Sequence, residues 1–451
     1  MAEFRAMRFD VRVTTILAAI FLASVAWADT TAIVNVNLIP MTDERVVPGQ
    51  SLIIVDGIIE SIGDVDDIAV PEGAIVVDGT DRFLLPGLTE MHAHVTGTSA
   101  TELDRLFGLF LANGVTTIRG MLGRPAHLEL RDDIQAGRIL GPRLITSGPS
   151  LNGNSVHSPA DGERQVREQR AAGYDFVKIH PGLKREEFNA IADTANALGM
   201  PFAGHVPVSV GISGALDKGI ATIDHLDGYI AALLPAHSDT SGGYGGFFDV
   251  MLADQVIEER IADVVAATVA AGVANVPTET LFEQLVSSVP ADELGDRPES
   301  RYVSQTTVQQ WIQRKEQAVN DRGFDAAIAA RAIDIRRELI ARLHQAGGRL
   351  LLGSDAPQVF NVPGFSLHRE LALMVDAGLT PYQALRIGTI APAEFFELNT
   401  GFIEVGRIGD LMLLDANPFE DISNSRRVHG VVVRGQWARS SELLERARPA
   451  S

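Results

Sequence analysis

Two histidines separated by a single residue are the first feature of this chain that could do chemistry. His92 and His94 end an apolar run whose residues suit a buried β-strand. Successive side chains of a strand point to opposite faces, so residues two apart share a face and their imidazoles can bind one metal ion. A lone pair of this kind is weak evidence, and its interpretation depends on the rest of the chain.

Four further polar side chains lie at or near the ends of other apolar runs: Lys178, His205, His225 and Asp355. An isolated lysine within an apolar strand is costly unless it is paired or neutralised. If the Lys178 amine combines with CO₂, the carbamate becomes an anionic oxygen ligand that can bridge two divalent cations. With the histidine pair, these residues predict a two-metal site suited to Zn²⁺ and tolerant of Mn²⁺ or Co²⁺.

The elements that position these side chains are short apolar runs separated by helical stretches. Such alternation is typical of βα units around a parallel sheet. Eight units predict an α/β fold of the (β/α)₈ TIM barrel type, with the active site at the carboxyl ends of the strands, where the polar side chains fall. The eight runs cover residues 84–94, 115–119, 143–147, 175–180, 202–206, 221–225, 273–277 and 350–355.

Two connections in this pattern are unusually long. A glycine-rich stretch at 241–248 follows the sixth run, and a charged helical region at about 303–345 follows the seventh. Long loops at the catalytic face of a barrel usually form lids or specificity walls. We expect these two segments to shape the pocket.

Both ends of the chain are rich in short β-type pieces. They occupy parts of residues 31–77 and 410–435, and Asp56-Gly57 is a two-residue hairpin signal. The chain therefore divides into a predicted signal peptide at 1–28, an N-terminal β segment at 29–85, a (β/α)₈ barrel at 86–395 and a C-terminal β segment at 396–451.

Composition excludes several classes of protein. The 451 residues are 46% hydrophobic, include no cysteine and carry a formal net charge of −20. Such a chain can bury a large core, and it has neither disulfides nor cysteine-ligated metals. Its acidity disfavours binding to nucleic acid or an anionic membrane, so a small-molecule substrate is the expected partner.

The N-terminus has the features of a secretory signal. Arg5, Arg8 and Arg12 precede an apolar run at 13–25, which is followed by Ala26-Trp27-Ala28. The apolar run is shorter than the roughly 20 residues that span a bilayer, which argues against a stable membrane anchor. We predict cleavage after Ala28 and a secreted or periplasmic protein.

The motifs resemble the amidohydrolase superfamily, most closely its imidazolonepropionase-like and dipeptidase-like branch. The resemblance covers nearly all of the chain beyond the signal. It rests on LPGLTEMHAH at 85–94, GVTTIR at 114–119, GYDFVK at 173–178, GHVP at 204–207, DH at 224–225, GSD at 353–355 and GDLMLLD at 409–415.

This resemblance implies a ligand set and a mechanism. His92, His94, Lys178 and Asp355 would hold one metal ion, and Lys178, His205 and His225 the other. A hydroxide bridging the two cations would attack a polarised carbonyl, while Asp355 would take its proton and return it to the leaving amine. The two β-rich ends would join in one small β-sandwich domain, and homo-oligomers are expected at the family level.

The fifth strand departs from the family pattern. Close relatives often have a second histidine two residues after the first, where this chain has Pro207. We therefore assign the ligand to His205 alone.

Three residues are candidates for substrate binding. His180 shares a strand face with Lys178, Arg119 could bind a carboxylate or pair with an acid in the barrel mouth, and His157 lies in a polar loop.

Several other residues receive structural interpretations. Tyr229 and Tyr244 could line the pocket or simply pack, and the charge runs 258–260 and 336–338 are interpreted as solvated helix faces. The remaining histidines match no ligand position and are interpreted as surface or core residues; they are His127, His237, His344, His368 and His429.

The sequence thus predicts an exported, binuclear hydrolase that cleaves a C–N bond, with the amide of a dipeptide or an N-acyl amino acid as the substrate that the resemblance implies. One alternative is hydrolysis of a lactone, carbamate or phosphotriester at the same site. Another is a non-catalytic binding barrel, which the presence of all six predicted ligands disfavours.

Overall fold

The computed structural model describes residues 30–235, 238 and 247–449. The predicted signal peptide, His237, Tyr244 and most of the glycine-rich segment at 241–248 lie outside the described residues. Among the residues that are described, no helix is both long enough and apolar enough to cross a membrane.

Strands from the two chain ends share one eight-stranded sheet. Its N-terminal members are β1 (Thr30–Leu38), β2 (Val47–Val55), β3 (Ile58–Asp64), β4 (Ile75–Asp78) and β5 (Phe83–Pro86). Its C-terminal members are β14 (Leu411–Leu414), β15 (Val428–Val433) and β16 (Gln436–Arg439). The order is β16-β15-β14-β5-β1-β2-β3, with β4 also paired to β1, so β14 and β5 join the two ends.

The hairpin between β2 and β3 forms as the sequence predicts. Asp56 and Gly57 have φ angles of 48° and 79°, which are the left-handed values that a tight two-residue turn requires. The sheet has an apolar cluster of its own, which includes Ile33, Leu52 and Leu413.

The eight predicted runs each contribute a strand to two parallel sheets. One sheet has the order β6-β7-β8 and the other the order β13-β12-β11-β10-β9. The strands are β6 (Leu88–Ala93), β7 (Val115–Gly120), β8 (Arg143–Thr146), β9 (Val177–Ile179), β10 (Phe202–Gly204), β11 (Thr222–Asp224), β12 (Ala274–Val276) and β13 (Arg349–Leu350).

The first predicted run is two strands rather than one. It divides at Gly87 into β5, which joins the sheet of the chain ends, and β6, which begins the parallel strands. A Cβ on Gly87 would lie 2.3 Å from the Thr116 hydroxyl, so only glycine lets the chain change sheets beside β7. The residues on both sides of Gly87 are apolar, so the hydrophobic pattern of the sequence does not show where the chain changes sheet.

Helices connect the parallel strands and pack their apolar faces on the main core. The predicted helical region after the seventh run is confirmed as α10 and α11. The helices are α1 (Ala100–Ala112), α2 (Ala126–Gln135), α3 (Pro159–Ala172), α4 (Arg185–Ala197), α5 (Gly211–Asp217), α6 (Tyr229–Ala232), α7 (Ile261–Ala271), α8 (Glu279–Val286), α9 (Ala291–Gly295), α10 (Gln305–Val319), α11 (Ala326–Gln345), α12 (Phe365–Asp376), α13 (Pro381–Gly388), α14 (Ile390–Phe396) and α15 (Ser440–Arg446).

Candidate metal centre

Three buried side chains from two strands meet at one point. His92 and His94 lie at the end of β6, and Asp355 follows β13. Oδ1 of Asp355 is 2.6 Å from Nε2 of His94 and 3.7 Å from Nε2 of His92. One ligand atom from each residue lies within 4.8 Å of the others. Two imidazoles and one carboxylate at this spacing can hold a divalent cation.

Further imidazoles continue from this cluster across the neighbouring strand ends. The ring centroids of His92 and His225 are 4.5 Å apart, those of His225 and His205 are 4.6 Å apart, and those of His205 and His180 are 5.0 Å apart. These residues follow β11, β10 and β9 in turn. The structure therefore brings the predicted histidine ligands and His180 into one row.

Lys178 lies on β9 beneath this row and is fully buried. Its nearest acidic partner, Oδ2 of Asp224, is 3.9 Å from Nζ, and no hydrogen bond reaches Nζ from any residue that the structure describes. Burial lowers the pKa of the Lys178 ammonium to about 8. A buried amine without a hydrogen-bond partner fits a group that is modified or that serves as a ligand.

Gly204 makes room for that amine. Its φ is 125°, and a Cβ there would lie 2.9 Å from Cδ and 3.0 Å from Nζ of Lys178, and 2.5 Å from the carbonyl oxygen of Ile179. A larger residue would therefore displace the lysine or distort β9.

Polar groups lie behind the imidazole rings. Nδ1 of His205 lies 3.0 Å from Oδ2 of Asp227, within hydrogen-bond distance. Nδ1 of His92 lies 2.9 Å from Oδ2 of Asp224, but this contact lacks the geometry of a hydrogen bond. Nδ1 of His225 lies 2.8 Å from Oγ1 of Thr278. Such contacts orient a ligand ring and select its tautomer, which leaves Nε2 free for a metal.

Burial favours the uncharged form of three imidazoles of the row. It lowers the pKa of His92 and of His225 well below the usual range, and it lowers the pKa of His180 to about 2. Metals bind neutral imidazole. Nitrogen donors, a carboxylate and an unpartnered amine together fit a divalent cation of the borderline class.

The backbone at the strand ends is conformationally unusual. His225, Thr278 and Asp355 are non-glycine residues with φ angles of 65°, 52° and 62°, and they follow the adjacent strands β11, β12 and β13. Each such residue costs about 1–3 kcal/mol and persists only where the surroundings hold it. This clustering is typical of functional sites.

Glu90 links the end of β6 to the segment that carries Asp355. Its carboxylate accepts hydrogen bonds from the backbone N–H of His92 at 3.0 Å, and from the backbone N–H of Ser354 at 2.8 Å. The Ser354 hydroxyl donates a third at 2.5 Å. Burial raises the pKa of Glu90 to about 8. The contacts fix β6 relative to the segment that carries Asp355.

Two of the three substrate-binding candidates lie elsewhere. Arg119 is 1% exposed and pairs with Asp224 at 3.1 Å, while Nε donates to the carbonyl oxygen of Met91 and Nη1 to Oγ1 of Thr222. This placement matches the alternative of an internal ion pair. His157 is exposed and is not part of the cavity at the histidine row. This placement gives no support to a substrate-binding role for His157.

A cavity of about 460 Å³ opens above the histidine row, and His180 is among the residues that line it. Phe248 and Arg314 also line it, and the sequence did not single them out. The Phe248 ring stacks on His225 with centroids 4.9 Å apart. Tyr229 packs instead, with its hydroxyl 2.9 Å from Oδ1 of Asn275.

The interpretation of 336–338 as a solvated helix face is wrong for Arg336, which is 1% exposed. Its guanidinium donates to the carbonyl oxygens of His225 at 2.7 Å and Pro277 at 3.0 Å, and it pairs with Glu279. The position of Arg336 in the helical repeat of α11 indicated that its side chain is buried. Arg336 falls on the stripe of α11 that also buries Ala332, Ile335, Leu339, Ile340 and Leu343.

Comparison with known proteins agrees with this geometry. The chain is 27% identical over 177 residues to adenine deaminase 3 of Rhizobium meliloti (strain 1021), a match that spans 36% of this chain and 29% of that protein. The match to an adenine deaminase of Methanosphaera stadtmanae spans 14% of its length. The chain thus covers under a third of the curated relatives it matches.

Solved structures match over a greater length. A bottromycin amidohydrolase superposes with a TM-score of 0.68 at 23% identity, covering 92% of this chain and 88% of that one. A Xaa-Pro dipeptidase with bound methionine superposes with a TM-score of 0.64 at 19% identity, covering 91% and 100%. At these identities the likeness shows the fold. Residues 83–438 match the amidohydrolase family, and the chain therefore belongs to this family of hydrolases.

Proposed function

We propose that this protein is an exported, binuclear metal-dependent amidohydrolase that cleaves the C–N bond of a dipeptide or an N-acyl amino acid. The observation that carries the proposal is the convergence of His92, His94 and Asp355 with the histidine row and the unpartnered Lys178 amine. Family membership and the resemblance to a Xaa-Pro dipeptidase support amide hydrolysis.

The proposed ligand sets share one residue. His92, His94, Asp355 and Lys178 would hold one Zn²⁺, and Lys178, His205 and His225 the other, with Lys178 as the carbamate formed when its amine adds CO₂ and loses a proton. Bound divalent cations would lower the pKa of water and polarise a substrate carbonyl. The amine of Lys178 is fully buried and has no hydrogen-bond partner among the described residues, which supports its assignment to both sets.

The chain's own groups supply the proton transfers and the positioning. Asp355 would accept a proton from the attacking water at a carboxylate oxygen and then donate it to the leaving amine. Nε2 of His94 and Oδ1 of Asp355 lie 2.6 Å apart, which is close enough for both to bind one cation. His180, neutral and lining the cavity, would hydrogen-bond the substrate.

We also propose that the two parallel sheets close into one (β/α)₈ barrel at residues 86–395. The backbone N–H of Met91 donates to Leu352 O, and the backbone N–H of His94 donates to Ala356 O, which links β6 to the segment after β13. A parallel bridge between Ser147 and Phe176 links the other two edges. A crystal structure with both edges open to solvent would contradict this closure.

Export is a separate proposal and rests on the basic and apolar segments at 1–28. Expression of the full chain in a Gram-negative host, followed by N-terminal sequencing of the periplasmic fraction, should give a protein that begins at Asp29. Retention of the uncleaved chain in the cytoplasm would overturn it.

The decisive test of activity is product identification by mass spectrometry. Zinc-loaded protein from Asp29 onward would be given dipeptides, N-acyl amino acids, lactones, carbamates and phosphotriesters, with and without chelator. Adenine belongs in the panel because the curated relatives are deaminases. We expect amide cleavage that chelator abolishes. Turnover of only the other classes would contradict the substrate assignment, and no turnover at all would favour a non-catalytic barrel.

A further inference from the structure

Helix α10, in the insertion between β12 and β13, is attached on both sides of the candidate site. Nζ of Lys315 donates to the carbonyl oxygens of Gln284 at 2.7 Å and Ser287 at 3.0 Å, which fixes α10 to the end of α8. Trp311 packs edge-on against Phe360, with centroids 5.9 Å apart, in the segment that follows Asp355. The helix is therefore held at a defined position beside the cavity.

Arg314 lies between these attachments and lines the cavity. Its side chain is exposed, and within the described part of the chain it has neither a hydrogen bond nor an ion pair. It is also the only arginine or lysine among the described residues that line this space. A cation that has no partner among the described residues has an unused capacity to bind an anion.

Much of the described wall around Arg314 is apolar. Leu281 and Leu285 of α8 line the cavity, as do Phe248 and Val359. Asp355 is the only carboxylate among the described lining residues, and its two oxygens face His94 and His225. The cavity thus combines a metal-binding end, an apolar wall and one cationic group.

We propose that Arg314 is a specificity-determining residue that selects substrates with a free carboxylate beside the scissile amide. The inference rests on the proposed function and narrows it to N-acyl amino acids and dipeptides with an unmodified C-terminus. A guanidinium binds a carboxylate through two parallel hydrogen bonds. In a chain of net charge −20, which repels anions, an arginine on the wall of the cavity favours the entry of one.

The kinetic test compares substrates that differ only in this carboxylate. Acyl release from an N-acetyl amino acid and from its primary carboxamide would be measured for the wild type, Arg314→Met and Arg314→Lys. Arg322→Met is the matched control, because Arg322 is an exposed arginine of the same insertion that does not line the cavity.

We expect Arg314→Met to lower kcat/KM for the free acid about 10- to 100-fold, mainly through KM, since a hydrogen bond to a charged group is lost. The carboxamide should change by less than about twofold, and Arg314→Lys should retain part of the preference. Equal losses for both substrates, or no loss for either, would overturn the proposal. Unchanged melting temperatures would exclude misfolding.

A binding measurement separates this inference from the proposed chemistry. Calorimetric titration of chelator-treated protein with 3-phenylpropanoate and with 3-phenylpropanamide needs no turnover. Arg314→Met should weaken binding of the acid about tenfold or more and leave the amide unchanged. If the wild type cleaves no C–N bond, the proposed function fails. The calorimetric comparison of wild type and Arg314→Met then decides the role of Arg314 by itself. Tighter binding of 2-phenylethyl phosphate than of the acid would overturn the carboxylate assignment.

Discussion

The guanidinium of Arg336 donates a hydrogen bond of 2.7 Å to the main-chain carbonyl oxygen of His225. His225 has a left-handed backbone conformation, with φ at 65°, and the contact comes from α11, more than a hundred residues along the chain. The same arginine neutralises the buried Glu279. An insertion helix therefore holds the strained end of β11.

We expect Arg336→Met to destabilise the fold by about 3–5 kcal/mol, because it leaves the buried Glu279 carboxylate without its partner. Metal affinity should fall as well, since His225 loses its backbone anchor. Arg337→Met is the control, as Arg337 is half-buried and pairs with Glu283 at 2.8 Å. Urea unfolding and metal titration would check both effects. Equal behaviour of the two variants would contradict the anchoring role.

Lys178→Ala should remove the ligand shared by the two proposed metal sites. We expect metal content to fall and turnover to drop at least about 100-fold, the upper end of losses seen when supporting residues are removed. The chain should stay folded, because a buried amine without a hydrogen-bond partner is replaced by a small apolar group. Lys315→Met, which removes a buried amine bound to carbonyl oxygens, should lower stability without changing the metal content. Normal metal content in Lys178→Ala would sink the carbamate assignment.

Gly204→Ala tests the close approach of Lys178 to β10. The added methyl would lie 3.0 Å from Nζ and 2.5 Å from the Ile179 carbonyl oxygen, so the lysine has to move. Gly219→Ala is matched to it, since Gly219 also has positive φ but meets nothing within 4 Å. The control should lose about 1 kcal/mol of stability, whereas Gly204→Ala should lose more and bind less metal. Measurement of the metal content by mass spectrometry would show whether Gly204→Ala binds less metal than Gly219→Ala.

Chelation should lower the melting temperature of the metal-loaded protein. A ligand present at a hundredfold excess over its Kd stabilises the folded state by about 2.7 kcal/mol, and its removal reverses that gain. The effect should be smaller in His94→Ala and unchanged in His344→Ala, because His344 lies at the end of α11 and is not among the described residues that line the cavity at the histidine row. A wild-type melting temperature that does not change when chelator is added would argue against a resident metal.

His368 should make the fold sensitive to acid. Burial lowers its pKa to about 4, while Nδ1 lies 3.0 Å from the Ser425 hydroxyl and Nε2 lies 2.9 Å from the carbonyl oxygen of Asn113. The unfolded chain binds a proton near pH 6.5 and the folded chain does not, so stability should fall by up to about 3 kcal/mol as pH drops from 6.5 to 4. In chelator-treated protein, His368→Gln should show a shallower loss of melting temperature over this range. An identical pH dependence would count against this assignment.

Local patterns in the sequence were sufficient to predict the strands and most of the histidine row. Each parallel strand is an apolar run of a few residues, and the ligand candidates follow where the runs end, so His92, His205, His225 and Asp355 could be found from spacing alone. The division of the first run at Gly87 could not be predicted in this way. It depends on Thr116 of another strand, which no local pattern reveals.

The supporting residues were harder to predict because their roles arise from contacts distant in sequence. Asp224 neighbours a predicted ligand, yet its carboxylate serves His92 and Arg119 on other strands. Arg314 and Phe248 lie in insertions whose path over the site is set by packing. Arg336 was recoverable from its place on the apolar stripe of α11, but a run of charged residues suggested solvent instead.

The sheet that joins the chain ends is completed only after all of the proposed metal ligands have been synthesised. Every proposed metal ligand precedes residue 356, whereas β14, which pairs with β5, begins at Leu411. On a ribosome the complete set of ligands therefore emerges while one edge of β5 still lacks its partner. A chain interrupted in that interval contains every proposed metal ligand but leaves one edge of β5 exposed, which favours aggregation.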